Sequence, residues 1–258
     1  MARAAVPGRL TGGPAGRLAW RRATLLEARR ETALAVTLVF DIPDWPGHLA
    51  GQHVDVRLTA DDGYTAQRSY SLAGPADGGR VELAVQQVDG GEVSGYLVDG
   101  LTVGEQVEVR GPVGGWFVWR PAAVEPVLLV AGGSGIVPLM AMIRARRAAR
   151  SRAPFRLIYS VRTPADPFFA GELRFPPVAD GGVEVAWVHT REAPPGYPRP
   201  VGRIRPPDLA RHGWPADLVP SCFVCGPTAF VEAVAGWLVD AGHDPDRIRT
   251  ERFGPSGG

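Results

Sequence analysis

The chain has 258 residues, 28 basic against 27 acidic for a formal charge of +1, with 45% hydrophobic and 21% charged residues. This composition excludes disorder and collagen-like repeats, and without clustered positive charge it excludes a nucleic-acid binder. At roughly 150 residues per domain the length allows one large domain or two modest ones. All the positive charge is arginine, since lysine is absent, and 33 glycines with 25 prolines in no repeating period point to many turns. Apolar runs such as residues 127–131 fall far short of the roughly 20 residues of a membrane span. Residues 1–19 lack an apolar signal core, and two cysteines suit a reducing compartment. A soluble, cytoplasmic monomer with a frayed tail over 1–19 and no membrane or nucleic-acid partner is expected.

In chain order, apolar residues first alternate with period two: Val54, Val56 and Leu58, then Val81, Leu83 and Val85, then Val107 and Val109. Glycine-containing turns separate these half-buried antiparallel strands, and closure into a small β-barrel over 20–122 removes their edges. Within it, residues 91–94 lead into a short helix over 95–99 with Ser94 as its N-cap. After residues 121–126 the pattern changes to a continuous apolar run over 127–131, a glycine-rich turn and a helix over 139–149, which is a βα unit of a parallel sheet. Strands over 155–160, 183–190, 222–225 and 247–253 and helices over 206–211 and 228–241 complete an α/β nucleotide-binding domain over 123–258.

Several segments carry chemistry. Arg68-Ser69-Tyr70-Ser71 offers a guanidinium for a bidentate phosphate contact, a ring to stack on a planar cofactor and a hydroxyl to bond a ring nitrogen; by itself it also reads as an ordinary edge strand. Gly91-Glu92-Val93-Ser94 opens a helix whose free N–H groups can hold phosphate. Gly132-Gly133-Ser134-Gly135 and Cys225-Gly226-Pro227 each follow a buried strand and precede a helix, where open parallel sheets bind ligands. Cys222 and Cys225 form a C-x-x-C, but three residues apart on a strand they face opposite ways, so neither a disulfide nor a shared metal follows. The five histidines show no metal-ligand spacing, and no metal site is expected.

In order and spacing these segments, together with Gly51-Gln52 and the turn at 111–117, resemble the ferredoxin-NADP reductase family over most of residues 20–258. The resemblance implies a six-stranded FAD-binding barrel followed by a Rossmann-like NAD(P)-binding domain. It implies that Arg68 holds the FAD pyrophosphate with Gly91, Val93 and Ser94, that Ser69 and Tyr70 line the flavin, and that Ser71 bonds its N5. Gly132, Gly133, Ser134, Gly135, Cys225, Gly226 and Pro227 would cradle NAD(P), with Ser71, Cys225 and Glu251 as the catalytic group and Phe253 over the flavin face. Phe253 departs from the family's terminal aromatic, since residues follow it and it lacks a hydroxyl.

Thr190-Arg191-Glu192 resembles the segment that meets the 2′-phosphate in NADPH-using members, and Arg162 is a second candidate. Both arginines could equally be surface residues, so NADPH is favoured and NADH stays open. The implied activity is hydride transfer from NAD(P)H to FAD, then single electrons to a separate protein acceptor such as ferredoxin, because the chain contains no C-x₄-C-x₂-C run for a fused iron-sulfur centre. Two other readings are open: a reductase feeding an oxygenase directly, and a non-catalytic flavin-binding electron-transfer or sensor subunit. Arg144, Arg146, Arg147, Arg150 and Arg152 form a basic helix face that reads as solvated, or as a docking patch for an acidic partner.

Overall fold

The computed structural model describes residues 18–174 and 182–254. The N-terminal tail expected over 1–19 lies almost wholly outside them, as do the glycines that end the chain.

Six strands build the first half: β1 (Trp20–Thr32), β2 (Ala35–Asp41), β3 (His53–Thr59), β4 (Thr65–Ser71), β5 (Arg80–Gln86) and β6 (Gln106–Val113). All pair antiparallel in the order β4-β3-β6-β1-β2-β5. An antiparallel bridge from Leu72 to Leu83 brings the end of β4 onto β5 and closes the sheet. The period-two residues Val54, Val56, Val81, Leu83, Val85, Val107 and Val109 fill the interior with Leu25, Leu38 and Phe40. β2 departs from the alternation because all but its last residue is buried. Val36, Leu38 and Phe40 face the barrel core, while Ala35 joins the core of the second half.

The second half is a five-stranded, all-parallel sheet in the order β11-β10-β7-β8-β9, made of β7 (Val127–Gly132), β8 (Phe155–Val161), β9 (Val183–His189), β10 (Ser221–Pro227) and β11 (Ile248–Phe253). Helices α4 (Pro206–His212) and α5 (Thr228–Asp240) cover the face presented by Leu128 and Val130. Helices α2 (Ile136–Ala148) and α3 (Ala170–Arg174) cover the face of Leu129 and Ala131. α2 is buried at every position from Ile136 to Ile143, because the barrel residues Ala50, Ala73, Phe117 and Trp119 pack on the side the sheet leaves open. It starts three residues before the expected 139: Pro138 sits in its first turn, where a missing N–H breaks no helical bond. Among the described residues no helix is long and apolar enough to cross a membrane.

Two expectations need correction. The short helix α1 spans Glu92–Gly95 with Gly91 as its N-cap, so Ser94 lies within the helix and not at its cap. The Ser94 hydroxyl accepts the Val88 N–H at 3.1 Å and donates to the Gly91 carbonyl at 3.2 Å, folding the 88–91 turn onto the helix. The basic face of α2 is not an open docking patch either. Arg144 and Arg147 are ion-paired to Glu172, and Arg146 is buried with its Nε donating to the Ala153 carbonyl at 2.6 Å. Arg150 and Arg152, past the end of the helix, are the exposed members of the set.

Candidate active site

The carboxyl ends of the five parallel strands point to one side of the sheet, where open α/β sheets bind ligands, and the end of β4 meets that side. There Ser71 Oγ donates to Glu251 Oε1 at 3.2 Å, across 180 residues of sequence. Glu251 is the register partner of Cys225 in the β10–β11 pair. The structure thus brings the three expected catalytic residues to one junction. Burial pushes the Glu251 carboxyl up to about 7, against the opposing pull of the Ser71 hydrogen bond. Burial, with the Glu251 charge added, drives the Cys225 thiol well above its ordinary value. At neutral pH the junction holds a neutral thiol, a hydroxyl and a carboxyl near its midpoint.

The segment after Ser71 is pinned by Trp45 and His48, which local sequence reasoning did not find, and by Gln52, which the resemblance includes. Trp45 Nε1 donates to His48 Nδ1 at 3.0 Å, which leaves the His48 proton on Nε2 to donate to the Gly74 carbonyl, also at 3.0 Å. Gln52 is buried, accepts the Leu49 N–H at 2.7 Å and donates to the Gly114 carbonyl at 2.7 Å, tying two turns beside the junction. No periodicity marks a Trp–His pair three residues apart in a loop.

Elsewhere on β4, Arg68 is exposed and donates from Nη1 to the Gln67 carbonyl at 2.7 Å. Tyr70 packs partly against the barrel core, and burial lifts its hydroxyl to about 12, so it stays protonated. Ser69 faces the other way and gives its hydroxyl proton to Asp55 at 2.7 Å, which also accepts from Arg110. Ser69 is therefore engaged in a barrel-surface network. Gly91, Val93 and Ser94 sit on the α1 turn, with Val93 buried beneath it.

The glycine-rich turn after β7 and the loop that ends β10 touch each other. A side chain on Gly135 would place its first carbon 2.1 Å from the Cys225 carbonyl oxygen and 2.8 Å from the Gly226 nitrogen. Gly133 has φ +56° with open space around it, a conformation that costs other residues about 1 kcal/mol or more. Ser134 between them is partly exposed. Arg162, Thr190 and Arg191 stand together at the ends of β8 and β9, where the Thr190 N–H bonds the Val161 carbonyl and the Arg191 N–H the Arg162 carbonyl, each at 2.9 Å. Both arginines are exposed. Phe253, partly buried, closes β11 beside Pro227 and packs against the core between the halves. Cys222 faces the α4 and α5 layer while Cys225 faces α2, opposite sides as the spacing predicts.

These residues fit the two groups expected here. A bare glycine cradle at the head of a buried helix suits a pyrophosphate. An exposed guanidinium, a protonated phenol and a hydroxyl in sequence on β4 suit a flavin nucleotide.

Residues 25–118 match the family model described as oxidoreductase FAD-binding domain, and residues 129–236 match the oxidoreductase NAD-binding domain. The reductase subunit of an aromatic O-demethylase from Amycolatopsis is 35% identical over 221 residues, 80% of this chain and 61% of that protein. The reductase subunit of glycine betaine monooxygenase from Pseudomonas aeruginosa is 31% identical over 80% of this chain and 56% of its own length. The chain thus spans about three fifths of the length of these curated relatives. Among solved structures, a cytochrome P450 reductase from Amycolatopsis superposes with TM-score 0.78 at 29% identity, covering 93% of this chain and 71% of that one. A ferredoxin NADP+ reductase from Neisseria gonorrhoeae with bound FAD and NADP shares the fold at TM-score 0.75 and 18% identity, covering 90% of this chain and 98% of that one. A closed antiparallel barrel that meets a parallel sheet at Ser71 and Glu251, with an FAD-binding and an NAD-binding model on its two halves, places the chain in the ferredoxin-NADP reductase family.

Proposed function

We propose that the chain is an FAD-dependent NAD(P)H oxidoreductase that favours NADPH and passes electrons to a partner redox protein. The observation that carries the reading is the Ser71–Glu251 contact, which joins the barrel to the strand ends of the sheet beside Cys225. FAD belongs to the barrel over 20–122 and the nicotinamide nucleotide to the α/β half over 123–258. When bound, the flavin takes a hydride from the nicotinamide and gives electrons up singly.

The chain's own part is binding, orientation and proton control. Arg68 and the turn at Gly91, Val93 and Ser94 hold the flavin's phosphates, with Tyr70 and Phe253 beside its ring system. Gly133 and Ser134 face the space that the nicotinamide nucleotide would take, while Gly132, Gly135, Gly226 and Pro227 hold the turn and the β10 loop close together beneath it. Arg162, Thr190 and Arg191 offer a hydroxyl and two guanidinium groups to a 2′-phosphate. Cys225, small and neutral, lets two rings approach closely. Glu251, near its midpoint at neutral pH, holds a proton that the Ser71 hydroxyl can pass to or take from the reacting edge. Among possible acceptors, the names of the relatives favour an oxygenase system, reached directly or through a ferredoxin, since those proteins are reductase subunits of a demethylase and a monooxygenase.

The test is the visible spectrum of the purified protein followed by anaerobic titration. A flavin spectrum is expected, bleached by NADPH at lower concentration than by NADH. Bleaching only by NADH would overturn the 2′-phosphate role of Arg162, Thr190 and Arg191, and no flavin after reconstitution with FAD would overturn the whole reading. Ser71→Ala is expected to slow stopped-flow flavin reduction about tenfold or more while FAD content stays the same. An unchanged rate would remove Ser71 from the reacting edge.

A further inference from the structure

Helix α2 is buried along residues 136–143 and then presents an arginine at the point where it leaves the core. The Arg144 side chain is only 14% exposed. Its Nη1 donates to the Ala73 carbonyl at 3.0 Å and to Glu82 Oε1 at 2.6 Å, both on the barrel. Its Nε donates to Glu172 Oε2 on α3 at 3.3 Å, and its Nη2 donates to Glu172 Oε1. The guanidinium also lies 4.8 Å from the ring centre of Phe169. The Phe169 N–H in turn donates to Glu31 Oε2 on β1 at 2.8 Å. One planar fork therefore serves a carbonyl and two carboxylates from both halves of the molecule, which a lysine's single ammonium cannot reproduce.

What this fork joins gives it a consequence for the reaction. Ala73 lies two residues beyond Ser71, and α2 begins where the glycine turn ends. A single stiff helix thus carries the nucleotide turn at its start and the tie to the Ser71 strand at its third turn. Rolling α2 on the barrel would shift the glycine cradle and Cys225 relative to Ser71. We propose that Arg144 is a positioning residue that fixes the registry of the barrel against the parallel sheet, and with it the separation at which the two cofactor rings meet. The effect on rate rests on the oxidoreductase reading above; the effect on registry does not.

The experiment uses the full chain loaded with FAD, with spin labels on Val103→Cys in the barrel and Val239→Cys on α5, both exposed positions, while the native cysteines are buried. Arg144→Ala is expected to broaden the label-to-label distance distribution. It is also expected to slow flavin reduction by NADPH at least ~10-fold at a temperature where the protein is fully folded, with FAD content and nucleotide affinity unchanged. A loss of stability alone would leave that rate where it was. Glu82→Gln, which keeps the Arg144–Glu172 pair within the α/β half, is expected to act in the same direction and decides the matter if Arg144→Ala does not fold. A distance distribution and a reduction rate equal to those of the parent protein overturn the proposal. If neither nucleotide bleaches the parent protein, the oxidoreductase reading fails, and the registry is still decided by the distances.

Discussion

Gly135→Ala is expected to uncouple the nucleotide from the flavin. The new carbon would sit 2.1 Å from the Cys225 carbonyl oxygen and 2.4 Å from the carbon that bears it, and both are backbone atoms that cannot rotate away. The glycine turn and the β10 loop must therefore move apart. Forcing extra atoms into packed structure costs roughly 1–3 kcal/mol, and a misplacement of about 1 Å near reacting groups costs on the order of 100-fold in rate. The barrel takes no part in this contact, so the variant should bind FAD and be bleached by dithionite. Reduction by NADPH or NADH should fall by roughly 100-fold, read by anaerobic stopped-flow absorbance. A variant reduced at the parent's rate would show that the nucleotide does not rest on this turn.

The second large effect is a pH dependence carried by Glu251. Its carboxyl sits at about 7 in the fold because burial disfavours its charge, against roughly 4.3 in an unfolded chain. Between those values the folded protein holds more protons than the unfolded one, so stability falls as pH rises through the window and stays lower above it. At about 1.4 kcal/mol per pKa unit, ionising Glu251 in place costs on the order of 3 kcal/mol, less whatever solvent reaches it. Glu251→Gln removes the charge and keeps the shape. In urea unfolding of the flavin-free protein between pH 5 and 8, the parent is expected to lose roughly 2–3 kcal/mol more than Glu251→Gln. In the loaded protein the same substitution should erase a pH inflection of flavin reduction near neutrality. Parallel stability profiles would mean that Glu251 ionises freely and holds no proton for the reaction.

Much of the fold can be read from the chain because its physics is local. Val54, Val56, Val81, Leu83, Val107 and Val109 alternate since one side of each strand faces the barrel core, and residues 127–131 run apolar since both faces of β7 are covered. β2 hides from the same reasoning because its outward residues are buried as well, Ala35 among them in the core of the second half. The helix start at Ile136 hides behind a proline that the first turn tolerates. Of the site, Ser71, Cys225 and Glu251 were legible through motif order, and their meeting is a long-range fact that only the packed halves display. Arg144 looked like one of several surface arginines, because nothing near it in sequence announces Glu82 or Ala73. His48 and Trp45 were silent for the same reason.

The C-x-x-C spacing leaves a practical mark on the molecule. Cys222 and Cys225 are the chain's two thiols. Both are fully buried, and burial pushes the first up to about 12 and the second well above its ordinary value. Since the thiolate is the reactive form, the closed protein is a poor target for alkylating reagents and oxidants, and modification must wait for an opening. One sulfur lies under α4 and α5 and the other under α2 and the barrel, so the order in which they are labelled is a clock for which layer peels away first.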